Sequence, residues 1–165
     1  MVKPVSVSQV PAHPIEHGEF HVIRKRLGHA AGADKIGCSH VELLPGKKSW
    51  PLHFHWRNEE AVFMLEGEVV LRLDDGDGKF EEHTLRAGDY VALPVGPPGH
   101  QMINKTDKPA RYLAFSTMDS PEICEYPDSN KVASYLLPPP GADPAKRPVY
   151  HMHRRAKPLD YWDGE

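Results

Sequence analysis

Seventeen prolines in 165 residues set the tightest limit on what this chain can fold into. Proline removes a backbone donor and clashes with the preceding helical turn, so a helix cannot run through it. Here the prolines are spread along the whole chain, which excludes long helices. Between the Pro and Gly punctuation lie short apolar runs suited to strands. Strands are expected over residues 20–27, 36–44, 61–65, 68–73, 80–85, 90–93, 100–104 and 111–116, with a short extended piece at 51–55. Turns are expected at Pro45-Gly46, residues 74–78, 94–99 and 105–108, and a Gly/Ala loop at 28–34. Strands spaced near ten residues apart, with turns between them, indicate an all-β sandwich or barrel.

The barrel pattern covers residues 19–118. Residues 1–18 read as an extended N-terminal arm. Residues 119–165 form a C-terminal extension: a polar, loop-like stretch at 120–133, then five prolines between positions 138 and 148, then a tail carrying Tyr150, Tyr161 and Trp162. Those aromatics are expected to pack on the barrel or on a partner subunit. A net charge of −3 argues against a nucleic-acid partner. No apolar run approaches the length of a membrane span. The first eighteen residues lack the apolar segment of a secretory signal. Two cysteines, Cys38 and Cys124, cannot build a disulfide framework. A soluble, cytoplasmic protein with free thiols is expected.

Eleven histidines direct attention to metal. In a strand, alternate side chains share a face, so His53 and His55 point the same way. Glu60 follows at the start of the next strand, and His100 follows the turn at 94–99. Three imidazoles and a carboxylate suit one divalent transition metal: Mn, Fe, Co, Ni or Zn. Four protein ligands on a six-coordinate ion leave two positions for a small-molecule substrate, unlike a closed structural zinc site. His151 and His153 repeat the His-any-His pattern but lack a following glutamate.

The residues that carry this pattern resemble the cupin superfamily. Its first motif is glycine, a spacer, His-any-His, three or four residues, Glu, six residues, Gly. Gly46, His53, His55, Glu60 and Gly67 match it, and the six-residue gap to Gly67 selects Glu60 over Glu59. Its second motif is matched by Gly88, Pro94, Gly96, His100 and Asn104. One extra residue stands between Gly46 and His53, and one between Gly96 and His100; both are loop changes outside the His-any-His core. The resemblance implies a single cupin barrel (a double-stranded β-helix, or jelly roll) holding a metal on His53, His55, Glu60 and His100. The chain's ending, residues 159–165, is similar to that of a group of small single-domain bacterial cupins. Some members are labelled sugar-phosphate isomerases by analogy.

Function is open among three readings. The first is a metal-dependent isomerase or epimerase acting on a small oxygen-rich metabolite. The second is an Fe(II) dioxygenase. The third is a non-catalytic small-molecule binding module. For proton transfer, Glu42, Tyr90 and Tyr112 are candidate catalytic residues. Asn104, Trp50, Lys48 and Met102 are expected around the site: Asn104 as a structural hydrogen-bonder, Trp50 as a pocket wall and Lys48 as an anion contact. The terminal segments have the material to cover or exchange strands, so a homodimer is expected.

Overall fold

The computed structural model describes residues 4–74, 79–137 and 148–165. After a 3-10 turn at Val7–Gln9 come β1 (His13–His17), β2 (Phe20–Arg26), the single-turn helix α1 (Leu27–Ala31) and β3 (Ile36–Leu43). Then follow β4 (Phe54–His55), β5 (Glu60–Glu66), β6 (Glu68–Asp74), β7 (Phe80–Arg86), β8 (Tyr90–Leu93), β9 (Gly99–Ile103) and β10 (Ala110–Thr117). The chain continues through β11 (Glu122–Tyr126), a 3-10 turn at Pro127–Ser129, β12 (Lys131–Tyr135) and β13 (Tyr150–Arg154).

Three antiparallel sheets result. Their strand orders are β1-β2-β3-β10-β5-β8, β13-β12-β11-β4 and β7-β6-β9. Alternation decides which face turns inward. Ser39, Val41 and Leu43 of β3 are buried, as are Val62 and Met64 of β5 and Val69 and Leu71 of β6. The apolar ones among them meet Met102 and Tyr112 in one core, where each large apolar side chain contributes about 2 kcal/mol by leaving water. The all-β fold expected from the proline and strand pattern is observed, as the jelly-roll barrel that the cupin resemblance implied.

Gly67 shows why the first motif ends in glycine. It joins β5 to β6 at φ +78°, a conformation other residues rarely adopt. A Cβ there would lie 3.0 Å from the Pro109 carbonyl oxygen and 3.1 Å from Ala110 Cα.

Three segments differ from expectation. The arm is partly strand: β1 pairs along its whole length with β2. The Gly/Ala loop begins as α1, because Gly28 lets the backbone lie against β3, where a Cβ would meet Cys38 N at 2.9 Å. The polar stretch at 120–133 holds β11 and β12 rather than loop. Its polar residues hide the pattern, since Glu122 and Glu125 are themselves buried. The turn expected at 74–78 and most of the proline-rich segment fall on residues 75–78 and 138–147, outside the described residues. Neither Cys38 nor Cys124 forms a disulfide among the described residues.

Candidate metal centre

β4 is only two residues long, yet it sets the site. Backbone bonds link His53 and His100 in both directions: His100 N–H donates to His53 O at 2.8 Å and His53 N–H to His100 O at 3.3 Å. Gly96 N–H donates to His55 O at 2.7 Å, so the turn of the second motif is stitched to the histidine pair of the first. Glu60 opens β5 opposite Leu93 of β8. These contacts gather the four residues. His100 Nε2 lies 3.0 Å from Glu60 Oε2, and His55 Nε2 lies 3.6 Å from Glu60 Oε1. The His53 and His100 rings are 4.7 Å apart, and those of His53 and His55 are 5.1 Å apart.

One donor atom each from His53, Glu60 and His100 lie within 4.8 Å of one another. An ion with bonds near 2.1 Å spans that with small side-chain shifts. His55 stands beside the three as a fourth donor. The other ring nitrogens are also placed for ligation. His53 Nδ1 donates to Pro51 O at 2.8 Å, which turns Nε2 into the site. His55 Nδ1 faces Glu122 Oε2 at 3.5 Å, an ion-pair distance rather than a formed hydrogen bond. Backing an imidazole with a carbonyl or carboxylate is how metal-binding histidines are held. The donor set fits a divalent transition metal.

The charge states agree. Burial, with the His100 ring beside it, pulls His53 down to about 4 against the pull of Glu60, so its imidazole is neutral at pH 7. Burial alone would raise Glu60, but the His100 hydrogen bond and the three rings outweigh it and hold the carboxyl at about 2. Burial lowers His55, yet Glu122 and Glu60 together turn the net shift upward.

Glu122 was hidden in the segment read as loop. It is 1% exposed and accepts from Arg57 N–H, Asn58 N–H, the Asn58 amide and its neighbour Ile123 N–H. β11 carries it to the site because Cys124 pairs with His55. Tyr126 of β11 stacks on the His53 ring at 5.9 Å. The residues past 118 therefore supply part of the site.

The four clustered residues line a cavity of about 250 Å³. Trp50, Met102 and Tyr112 line it too, as expected, and so do Arg24 and Ser49, which were not foreseen. Three expected residues stand elsewhere. Glu42 lies on the outer face of β3, where it accepts from Arg111 Nε at 2.7 Å. Tyr90 is 63% exposed. The Lys48 ammonium pairs with Glu19 at 2.9 Å. Asn104 is structural: its amide donates to Leu43 O and Lys108 O and its oxygen accepts from Thr106, which shapes the turn after β9.

A closed antiparallel barrel with a His/Glu cluster inside its cavity defines a class of small-molecule and metal-binding proteins. Residues 39–116, a little under half of the chain, match the model of the cupin domain. A crystal structure of a cupin-superfamily sugar phosphate isomerase from Silicibacter pomeroyi superposes with a TM-score of 0.77 at 27% identity, covering 96% of this chain and 98% of that one. A quercetin 2,3-dioxygenase from Bacillus subtilis is 37% identical over 60 residues, 35% of this chain and 16% of that protein. A germin-like protein of subfamily 2 from Arabidopsis thaliana is 28% identical over 110 residues, 65% of this chain and 46% of its own. The matched segments thus span less than half of either of these two relatives.

Proposed function

We propose that the chain is a metal-dependent enzyme acting on a small oxygen-rich metabolite, as an isomerase or epimerase of the sugar-phosphate type. One observation carries this: the His53, Glu60 and His100 donor atoms converge inside a cavity that also has an apolar wall, with His55 beside them. The likeness to the Silicibacter pomeroyi sugar phosphate isomerase, which runs over nearly the whole of both chains, supports the substrate class. His53, His55, Glu60 and His100 hold the ion, which when bound supplies Lewis-acid polarisation of adjacent substrate oxygens.

The chain's own residues do the rest. Glu60, held at about 2, serves as a permanent carboxylate donor rather than as an acid. Of the three proton-transfer candidates, only Tyr112 reaches the cavity. Burial pushes its phenol far up, so Oη keeps its proton at neutral pH and donates a hydrogen bond to a substrate oxygen. Val62, Leu93 and Met102 form the apolar wall and exclude water from the bound molecule.

Isomerisation through a carbonyl hands the neighbouring C–H proton to a base and returns one to the adjacent carbon, and exchange at that base brings in solvent deuterium. Incubating the metal-loaded protein with a panel of aldose and ketose phosphates in D₂O, and following them by proton NMR, reads this directly. Deuterium is expected to enter one substrate, and His55→Ala is expected to abolish entry with the fold retained. Unchanged exchange in His55→Ala would overturn the mechanism. The 60-residue likeness to a quercetin 2,3-dioxygenase favours a second reading as an Fe(II) dioxygenase. Oxygen uptake by the iron-loaded protein in the presence of a diol is its test.

A further inference from the structure

The cavity has a second polar end that the metal cluster does not use. Strand register builds it. Tyr112 of β10 pairs with Val41 of β3, and Val41 pairs with Arg24 of β2. Paired residues in an antiparallel sheet face the same side. Val41 and Tyr112 face the core, so Arg24 turns inward with them, two strand spacings from Tyr112, or roughly 10 Å. Tyr112 lies four residues along β10 from Ser116, and Ser116 is the residue opposite Glu60. At about 3.3 Å per residue, this row sits some 13 Å along the strand from the Glu60 level.

The groups in this end are donors. The Tyr112 hydroxyl belongs to a side chain 1% exposed and makes no hydrogen bond among the described residues. The Ser49 hydroxyl is close enough to interact with it, and Ser49 Oγ accepts from Met102 N–H at 3.2 Å, which leaves its own hydrogen to donate. Contacts to Ser39 and Trp50 help to hold the Arg24 guanidinium. Its Nε donates to Ser39 Oγ at 2.9 Å, and it lies over the Trp50 ring at 5.9 Å. Arg24, Ser49, Trp50 and Tyr112 all line the cavity. Gln101 also lines the cavity, with its amide donating to Trp50 O at 2.6 Å and its oxygen without a partner among the described residues.

A buried hydroxyl without a partner costs free energy unless something binds it. A guanidinium and two hydroxyls in one pocket, with the carboxylate at the far end, select an oxyanion. We propose that Arg24, Tyr112 and Ser49 form an anion subsite that holds a carboxylate or phosphate of the substrate while its other end faces His53, His55, Glu60 and His100. This deepens the proposed enzymatic reading and rests on it for the second half of that statement. It also moves the anion contact from Lys48, where the sequence suggested it, to Arg24.

Calorimetric titration of the metal-loaded protein with glycerol, glycerol 3-phosphate and D-glycerate tests the subsite. At least one anion is expected to bind tenfold or more tightly than glycerol, as a charge-assisted contact requires. Tighter glycerol 3-phosphate assigns a phosphate, and tighter D-glycerate assigns a carboxylate. Arg24→Gln is expected to erase the preference with the metal content unchanged. Tyr112→Phe is expected to weaken the anion several-fold while Tm stays level or rises, because it removes an unsatisfied buried group. Arg24→Lys, which keeps the charge without the planar fork, is expected to fall between, and it serves should Arg24→Gln fail to fold. Glycerol binding as tightly as both anions, or an anion preference that survives both Arg24→Lys and Tyr112→Phe, would overturn the proposal. Metal content measured on the same samples separates the two ideas. A protein that takes up no metal but still prefers anions through Arg24 would retain the subsite and refute the metal-dependent reading.

Discussion

Glu122 shows how much one residue decides here. Its carboxylate collects two backbone donors at Arg57 and Asn58, a third at Ile123 and the Asn58 amide. It does so while facing His55 Nδ1. The Asn58 amide also donates to Asp119 O at 3.1 Å, but the carboxylate serves three backbone N–H groups, so Glu122→Gln is expected to destabilise the metal-free fold by about 2 kcal/mol. Burial alone would raise the carboxyl, but the contacts to His55, Asn58 and Ile123 bring it below its ordinary 4.5. A carboxyl lowered by folding contributes its full stability above the unfolded value and loses it as pH falls through the folded value. The wild type should therefore lead the variant above pH 4.5, and the gap should close as the solution is acidified further. Urea unfolding of both proteins from pH 7 to pH 3 checks this; a gap that widens on acidification would contradict it.

Legibility differed by element. The four clustered residues could be found because β4 and the turn before β9 are local patterns: a period of two in His53-Phe54-His55, and a Pro-any-Gly turn ahead of His100. Gly67 and Gly96 were legible for the same reason, since positive φ at each leaves a glycine in the sequence. β11 was not legible. Its buried positions include Glu122 and Glu125, so it reads as polar, and it reaches the site through a two-residue pairing with β4 some seventy positions earlier. Arg24 was equally hidden. On β2 it stands two residues from buried Val22 and shares its inward face, a position where the sequence alone gives no reason to expect an arginine, and the β2-β3-β10 register brings it into the cavity with Tyr112. Glu42 failed as a candidate by the same parity, because it is one residue out of phase with Val41 and Leu43 and so faces away from the core.

The whole molecule leaves apolar and backbone groups uncovered. β1 and β13 are edge strands exposed at every residue. Beyond β13 the tail presents Leu159, Tyr161 and Trp162 at 79%, 85% and 71% exposure, and Tyr161 and Trp162 touch chiefly each other. Of the tail aromatics expected to pack on the barrel or on a partner subunit, Tyr150 meets Tyr135 at 6.1 Å, while Tyr161 and Trp162 stay exposed among the described residues. Open edges invite pairing with another chain, and exposed aromatics favour an interface. A homodimer is therefore expected, with residues 1–27 or 145–165 at the contact. Light scattering should give twice the chain mass, and removing residues 156–165 should weaken the association. A monomer unaffected by that truncation would refute it.

The central claim is that His53, His55, Glu60 and His100 hold a divalent metal inside the barrel. Elemental analysis of the untagged protein, beside a His53→Ala/His100→Ala variant shown to be folded by circular dichroism, tests it most directly. One equivalent of Mn, Fe, Co, Ni or Zn is expected in the wild type and none in the variant. Iron would direct the substrate search to oxygen chemistry, and Mn, Ni or Zn to isomerisation. A wild type that stays empty after reconstitution with each of the five ions, or a variant that keeps a full equivalent, would contradict the claim.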